Sequence, residues 1–303
     1  MDARWRMLSR YRYAHRGLHD LAAGIPENSL PAFRRAREMG YGVELDVHLT
    51  ADDRLVVIHD SDLSRLCGTT RIVEDLTLDA LRDLRLLGTD EPVPTLDEVL
   101  AIFEHDSAGD PAHGVSLRRD RHRARRRDKT FQPHDDRPSD GEAPSGDCPA
   151  SGRPAGGRPE TPLIIELKTW NGNATRLASR TMELLDSYCV SYCIESFDPY
   201  VLAWLRRRRP EVIRGQLSMD LRGGKVVGRI YDFALTMLLK NYVSRPDFVA
   251  YRFEDRDLPA PRLAFGPLGA KRVLWTIRNA DDLAACDAEG AVAIFEGFLP
   301  DSR

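Results

Sequence analysis

Residues 42–49 read GVELDVHL. Val43, Leu45, Val47 and Leu49 alternate with Glu44, Asp46 and His48, a period of two that predicts a β-strand with one apolar and one polar face. In an open sheet the polar face meets solvent. In a closed barrel of parallel strands, helices cover the outer face, which must then be apolar. The polar face turns inward, and Glu44 and Asp46 point toward the mouth of the barrel.

Upstream, Arg12–Ala14 reads as the end of a short strand stopped by His15, Arg16 and Gly17. A loop with Gly24 and Pro26 follows. Asn28 or Ser29 can cap a helix from Pro31, since either side chain accepts from an orphan N–H and Pro is tolerated in the first turn. Gly40 suits the position just past its end. Downstream, Ala51–Arg54 is a turn, and LVVIHD (55–60) is a second apolar run that delivers His59 and Asp60, as a hairpin partner or a small excursion. Residues 61–94 are polar and turn-rich, with one short helix over Leu78–Leu84. Thr95 caps the helix after them. Beyond residue 161 strands and helices alternate to the end, including a helix over 231–242. Eight strands fall near Tyr13, Val43, Ile164, Ile194, Ile213, Val249, Leu274 and Ala293. Repeated strand–helix units imply parallel strands with right-handed crossovers. The predicted fold is α/β, a TIM (β/α)8 barrel with a small insertion after strand 2 and a long disordered one before strand 3.

The long insertion spans 107–161, where Gly, Pro, Asp, Ser and Arg dominate and LRRDRHRARRRDK (117–129) is strongly basic. Such a composition buries too little apolar surface to offset chain entropy. It interrupts a single domain expected over 10–303. With 44 basic against 47 acidic residues the net charge is −3, which provides no global field for nucleic acid or an anionic membrane. No aromatic residues interleave with the basic run as stacking platforms would require, so nucleic acid is not an expected partner. The five cysteines show no ligand-like spacing. That argues against a disulfide framework and for a reducing compartment. Neither a signal peptide nor a membrane span is visible, so a cytoplasmic location is expected. The sequence leaves the oligomeric state open.

Active sites of such barrels lie at the C-terminal ends of the strands. Those ends supply His15, Arg16, Glu44, Asp46, Glu166, Lys168, Ser196 and Trp275, and His59 arrives on the excursion. Taken singly, each has a plainer use: a capping histidine, a solvated ExD face, a surface charge pair. Their convergence at one end of the barrel sets them apart from such uses. Three carboxylates brought together need a counter-charge, and an all-oxygen set suits one hard divalent cation, Mg²⁺ or Ca²⁺. Arg16 and Lys168 suit a phosphate. Two histidines can serve as general acid and base. His19, His48 and His105 read as surface residues. This combination points to phosphoester cleavage.

HRG (15–17), PEN (26–28), ELDV (44–47), a turn with Asp, VVIHD (56–60), IELK (165–168) and SF (196–197) together resemble the glycerophosphodiester phosphodiesterase family. The resemblance runs from about Tyr13 to the C-terminus apart from the insertion, and AVAIFEGF (291–298) is similar to the family's last strand. It implies a TIM barrel that hydrolyses glycerophosphodiesters to glycerol 3-phosphate and an alcohol with a divalent cation. It further implies His15 and His59 as the acid/base pair, and Glu44, Asp46 and Glu166 as metal ligands. Arg16 and Lys168 would hold the phosphate, Glu27 and Asn28 would support the site, and Trp275 would line the glycerol side. Two features depart from the pattern: the long insertion, and Phe295-Glu296-Gly297 where the family commonly ends in Thr-Asp. Two alternatives stand beside this one. One is cleavage of an intact lipid, as in phospholipase D or sphingomyelinase D, which calls for an aromatic rim that the sequence does not display. The other is a non-catalytic phosphoester-binding barrel.

Overall fold

The computed structural model describes residues 3–104, 161–221, 233 and 235–301. They belong to one compact unit, Met1–Glu104 with Pro159–Arg303. The expected insertion over 107–161, save its last residue, lies outside the described residues, as does His105.

Among the described residues nine strands occur: β1 (Tyr13–His15), β2 (Gly42–Leu49), β3 (Leu55–Val57), β4 (Leu163–Leu167), β5 (Tyr192–Ser196), β6 (Arg214–Ser218), β7 (Phe248–Arg252), β8 (Lys271–Ile277) and β9 (Val292–Phe295). Eight are parallel neighbours in the order β1-β9-β8-β7-β6-β5-β4-β2. Pairing of β1 with β2, Tyr13 opposite Gly42, closes the ring. The fold is a TIM barrel. The ninth strand, β3, runs antiparallel to β2 outside that ring. It opens the small insertion, whose Val56, Ile58, Leu63, Leu66, Val73, Leu81 and Leu86 form a core of their own.

All eight residues of β2 are buried. Val43, Leu45, Val47 and Leu49 join the layer between barrel and helices. The polar members face inward, as the period predicts. Local signals set the helix starts. Ser29 caps Leu30–Glu38 by accepting from the Ala32 N–H. Thr95 and Glu98 form a reciprocal capping box at Leu96–Phe103, satisfying two orphan donors.

The lower end of the interior is apolar, with Tyr13, Ile164, Cys193, Phe248 and Val292 meeting Trp5 and Leu8. These last two lie on a helix, Ala3–Leu8, upstream of the boundary at residue 10 that the sequence suggests. Trp5 packs on Phe248 with ring centroids 5.4 Å apart. Phe248 in turn occupies the space beside Gly215, where an added Cβ would lie 2.1 Å from the ring. Only glycine fits there.

Three expectations change. The helix over 231–242 is broken within its described part: Leu238 takes a left-handed φ of +56°, and a short helix covers only Asn241–Ser244. His48 is not a surface residue; it is 1% exposed because the small insertion covers it. Cys189 is disulfide-bonded, whereas Cys67 and Cys193 are free thiols. No helix among the described residues is long and apolar enough to cross a membrane.

Candidate active site

The cleft at the C-terminal ends of the strands has a volume of about 340 Å³ and is lined by His15, Arg16, Glu44, His59, Glu166, Lys168, Glu195, Phe197, Leu217, Trp275 and Ile294. Asp46 lies behind this lining, 1% exposed.

The β1–helix loop is built around two unusual backbones. Arg16 and Asn28 both have left-handed φ, 57° and 53°. A non-glycine residue held there stores strain that its surroundings must offset. The Asn28 N–H donates to the Arg16 carbonyl at 2.9 Å, and the Arg16 N–H donates to Glu44 Oε2 at 3.1 Å. Gly17 follows at φ +80°, where a Cβ would lie 2.9 Å from that of Ala32. The His-Arg-Gly turn is therefore wedged against the following helix. It leaves the Arg16 guanidinium against Glu27 at 2.7 Å and 3.5 Å from Asp46. The Asn28 amide donates to Asp46 Oδ2 at 2.8 Å.

Glu44, Asp46 and Glu166 each offer one carboxylate oxygen, and the three lie within 4.8 Å of one another. Lys168 Nζ sits 3.0 Å from Asp46 and 2.8 Å from Glu166. The charges are sorted accordingly. Burial and the neighbouring Asp46 push the Glu44 carboxyl well up. Burial raises Glu166 to about 7 against the pull of Lys168. Asp46 goes the other way: burial is overcome by Lys168, His59, Arg16 and the Asn28 amide, which hold it well below its ordinary value. Two of the three buried acids thus resist ionisation until more positive charge arrives. A hard, oxygen-seeking divalent cation matches this donor set.

The two histidines are held alike. His15 Nδ1 faces Glu296 Oε2 at 3.2 Å, and His59 Nδ1 faces Asp60 Oδ1 at 2.5 Å. A carboxylate only accepts, so in both rings Nδ1 carries the proton and Nε2 is left for the cleft. Burial lowers the His15 pKa and takes that of His59 to about 4. Both rings are neutral near pH 7.

All ten site residues expected from the sequence gather here, Trp275 with its ring edge-on to Phe197 at 6.0 Å. Four others went unseen. Glu296, noticed as a departure from the family ending, backs His15 and also lies 3.4 Å from His19, which is therefore no idle surface residue. His48 bridges Glu74 (2.7 Å) and the His59 carbonyl (3.1 Å), so it fixes the backbone that carries His59. Its place on the polar face of β2 was the available signal. Arg65 joins Asp60 to Glu27. Glu195, on the inward face of β5, is 1% exposed.

Residues 15–114 match the family model of the Glycerophosphoryl diester phosphodiesterase family. A glycerophosphodiester phosphodiesterase of Caldanaerobacter subterraneus subsp. tengcongensis is 41% identical over 99 residues, 30% of this chain and 39% of that protein. A lysophospholipase D of Rattus norvegicus is 37% identical over 112 residues, 32% of this chain and 34% of that protein. The matched stretch thus spans between a third and two fifths of these relatives. An Oleispira antarctica phosphodiesterase, solved with the product sn-glycerol-3-phosphate, superposes with a TM-score of 0.63 at 17% identity, over 94% of this chain and 92% of that one. That likeness speaks for the fold.

Proposed function

We propose, from the premise that residues 15–114 belong to the glycerophosphoryl diester phosphodiesterase family, that the protein hydrolyses glycerophosphodiesters to glycerol 3-phosphate and an alcohol. One observation carries the reading. Two neutral histidines, each oriented by a carboxylate, share a cleft with three convergent buried carboxylates and two fixed cations.

Glu44, Asp46 and Glu166 would hold one divalent cation, Mg²⁺ or Ca²⁺. When bound, that cation supplies Lewis acidity toward a phosphate oxygen and the charge that buried acids need. Arg16 and Lys168 bind and orient the phosphodiester anion, Arg16 held in place by Glu27 and Lys168 by its two carboxylates. Asn28 keeps Asp46 oriented through its amide. One histidine accepts through Nε2 the proton of the attacking hydroxyl as the new P–O bond forms. The other takes up a proton at Nε2 once the phosphodiester anion is bound beside it, and gives that proton to the departing alcohol oxygen as the old P–O bond breaks. Glu296 and Asp60 stabilise each imidazolium while it lasts. The attacking hydroxyl belongs to water, or to the substrate's own glycerol 2-hydroxyl by way of a cyclic phosphate that water then opens. Phe197, Leu217 and Trp275 exclude bulk water from one side of the cleft.

The test is release of glycerol 3-phosphate from glycerophosphocholine and glycerophosphoethanolamine, with Mg²⁺, Ca²⁺ or EDTA. Release is expected with a metal and not with EDTA. No release under any condition, together with retained binding of glycerol 3-phosphate, would leave a phosphoester-binding barrel instead. An intact-lipid substrate is favoured by one observation absent from the sequence reading. Trp170 and Tyr200 are 36% and 60% exposed on the segments that follow β4 and β5, at the cleft end. The rat relative's name points the same way. Cosedimentation with phosphatidylcholine liposomes separates the two; the soluble-substrate reading expects the protein to stay in the supernatant.

A further inference from the structure

Three buried polar atoms of the residues lining the cleft have no hydrogen-bond partner among the described residues; Arg16 Nε still lies 3.5 Å from Asp46, which leaves two, Oε2 of Glu195 and Nε1 of Trp275. They belong to opposite classes, since the indole N–H only donates and a carboxyl oxygen accepts. Leaving such groups unpaired is costly, and a native structure that keeps them calls for an explanation. Both residues line the same cleft as His15 and His59. Glu195 stands level with Glu166 on the adjacent strand, and its oxygens are not among the three that converge within 4.8 Å. The Phe197 and Trp275 rings, edge to face at 6.0 Å, form an apolar wall of the same cleft.

A phosphate does not suit this corner, because two rings and a carboxyl group offer it no positive charge. A second cation does not suit it either, because an indole N–H offers it nothing. A hydroxyl group suits both atoms, being donor and acceptor at once, and a polyol would lay its C–H groups on the two rings. We propose that Glu195 is a specificity-determining residue that, together with Trp275, hydrogen-bonds the free hydroxyls of the glycerol moiety and so selects glycerol-bearing phosphoesters over plain alkyl ones. The assignment rests on the phosphodiesterase reading of the same cleft. It adds a residue which that reading does not use.

The experiment is titration calorimetry of wild type, Glu195→Leu and Glu195→Gln, each with Mg²⁺ and in EDTA. The ligands are glycerol 3-phosphate and n-propyl phosphate, which has the same charge and no hydroxyls. Wild type should prefer glycerol 3-phosphate. Glu195→Leu should weaken glycerol 3-phosphate binding by about 10-fold, the usual scale of a buried hydrogen bond, and leave n-propyl phosphate within about 2-fold. Glu195→Gln, which keeps an acceptor oxygen, should retain most of the preference. Thermal melting adds a readout that a structural role would move the other way. Glu195→Leu removes an unpaired buried acid and should melt no lower than wild type, whereas loss of a structural residue would lower Tm. Equal weakening for both ligands, or a full preference surviving in Glu195→Leu, overturns the assignment. Hydrolysis of glycerophosphocholine is scored separately. Its absence in wild type would sink the phosphodiesterase reading, while the calorimetric comparison would still decide the role of Glu195.

Discussion

Along β4, Ile164 points into the barrel low down and Glu166 one pleat higher; along β5 the same step leads from Cys193 to Glu195. The lower tier is closed by Trp5, Leu8, Tyr13 and Phe248. The upper tier holds four buried acids, Glu44, Asp46, Glu166 and Glu195, each at most 5% exposed. One set of strands thus carries a packed floor and, about 7 Å above it by the rise of two strand residues, a cluster of buried acids that on its own destabilises the fold. The difference shows how the fold tolerates its site. Apolar contacts in the floor and in the outer layer hold the strand ends in place, and the acids are free to serve chemistry.

Substitutions in the two tiers should therefore separate cleanly. The largest effect is expected above: His15→Ala and His59→Ala should each lower kcat by about 10²–10⁴, the usual size of an acid/base contribution, with an unchanged urea midpoint. Near-wild-type turnover in both would remove the histidines from the mechanism. Below, Phe248→Ala should cost about 3–5 kcal/mol of stability by opening a cavity, with KM for glycerophosphocholine unaltered in whatever remains folded. A changed KM there would mean that the tiers are not independent.

A pH experiment sharpens the contrast. With its carboxyl raised to about 7, Glu166 binds a proton more readily folded than unfolded. In EDTA it therefore adds stability fully present below about pH 4.5, its ordinary value, and lost as pH rises through about 7. His59, lowered to about 4, acts in the opposite sense over part of that window, so the informative quantity is the difference between proteins. Wild type minus Glu166→Gln should fall with rising pH between about 4.5 and 7, and the fall should vanish when saturating Mg²⁺ or Ca²⁺ holds the carboxylate ionised. A flat difference in EDTA would mean that Glu166 is ionised throughout. The smallest effect lies in neither tier. Thr95→Ala removes half of a capping box on the outer layer and should cost about 1 kcal/mol without touching kcat or the pH profile.

How much of this was legible in the sequence follows from how local each signal is. The period of two in β2 exposes the inward direction of Glu44 and Asp46, and repeated strand–helix units expose the barrel. His48 obeys the same period, yet whether it meets solvent depends on an insertion folded over it, which periodicity does not encode. Glu195 sits in a five-residue strand too short to display a face. Glu296 is plain as a residue, but its partner His15 comes from the other end of the chain. Trp5 and Leu8, three apart, do mark one face of a helix turn. The basic residues around them obscure that face.

Trp5 and Phe248 also lie far apart along the chain, since the ring partner of Trp5 stands on the sixth of the eight parallel strands. Contacts so distant along the chain form late, after loop closure has been met elsewhere. The floor is thus a seal set at the end of assembly. Weakening it by Trp5→Ala should appear mainly as faster unfolding, leaving the early steps of refolding at their usual speed.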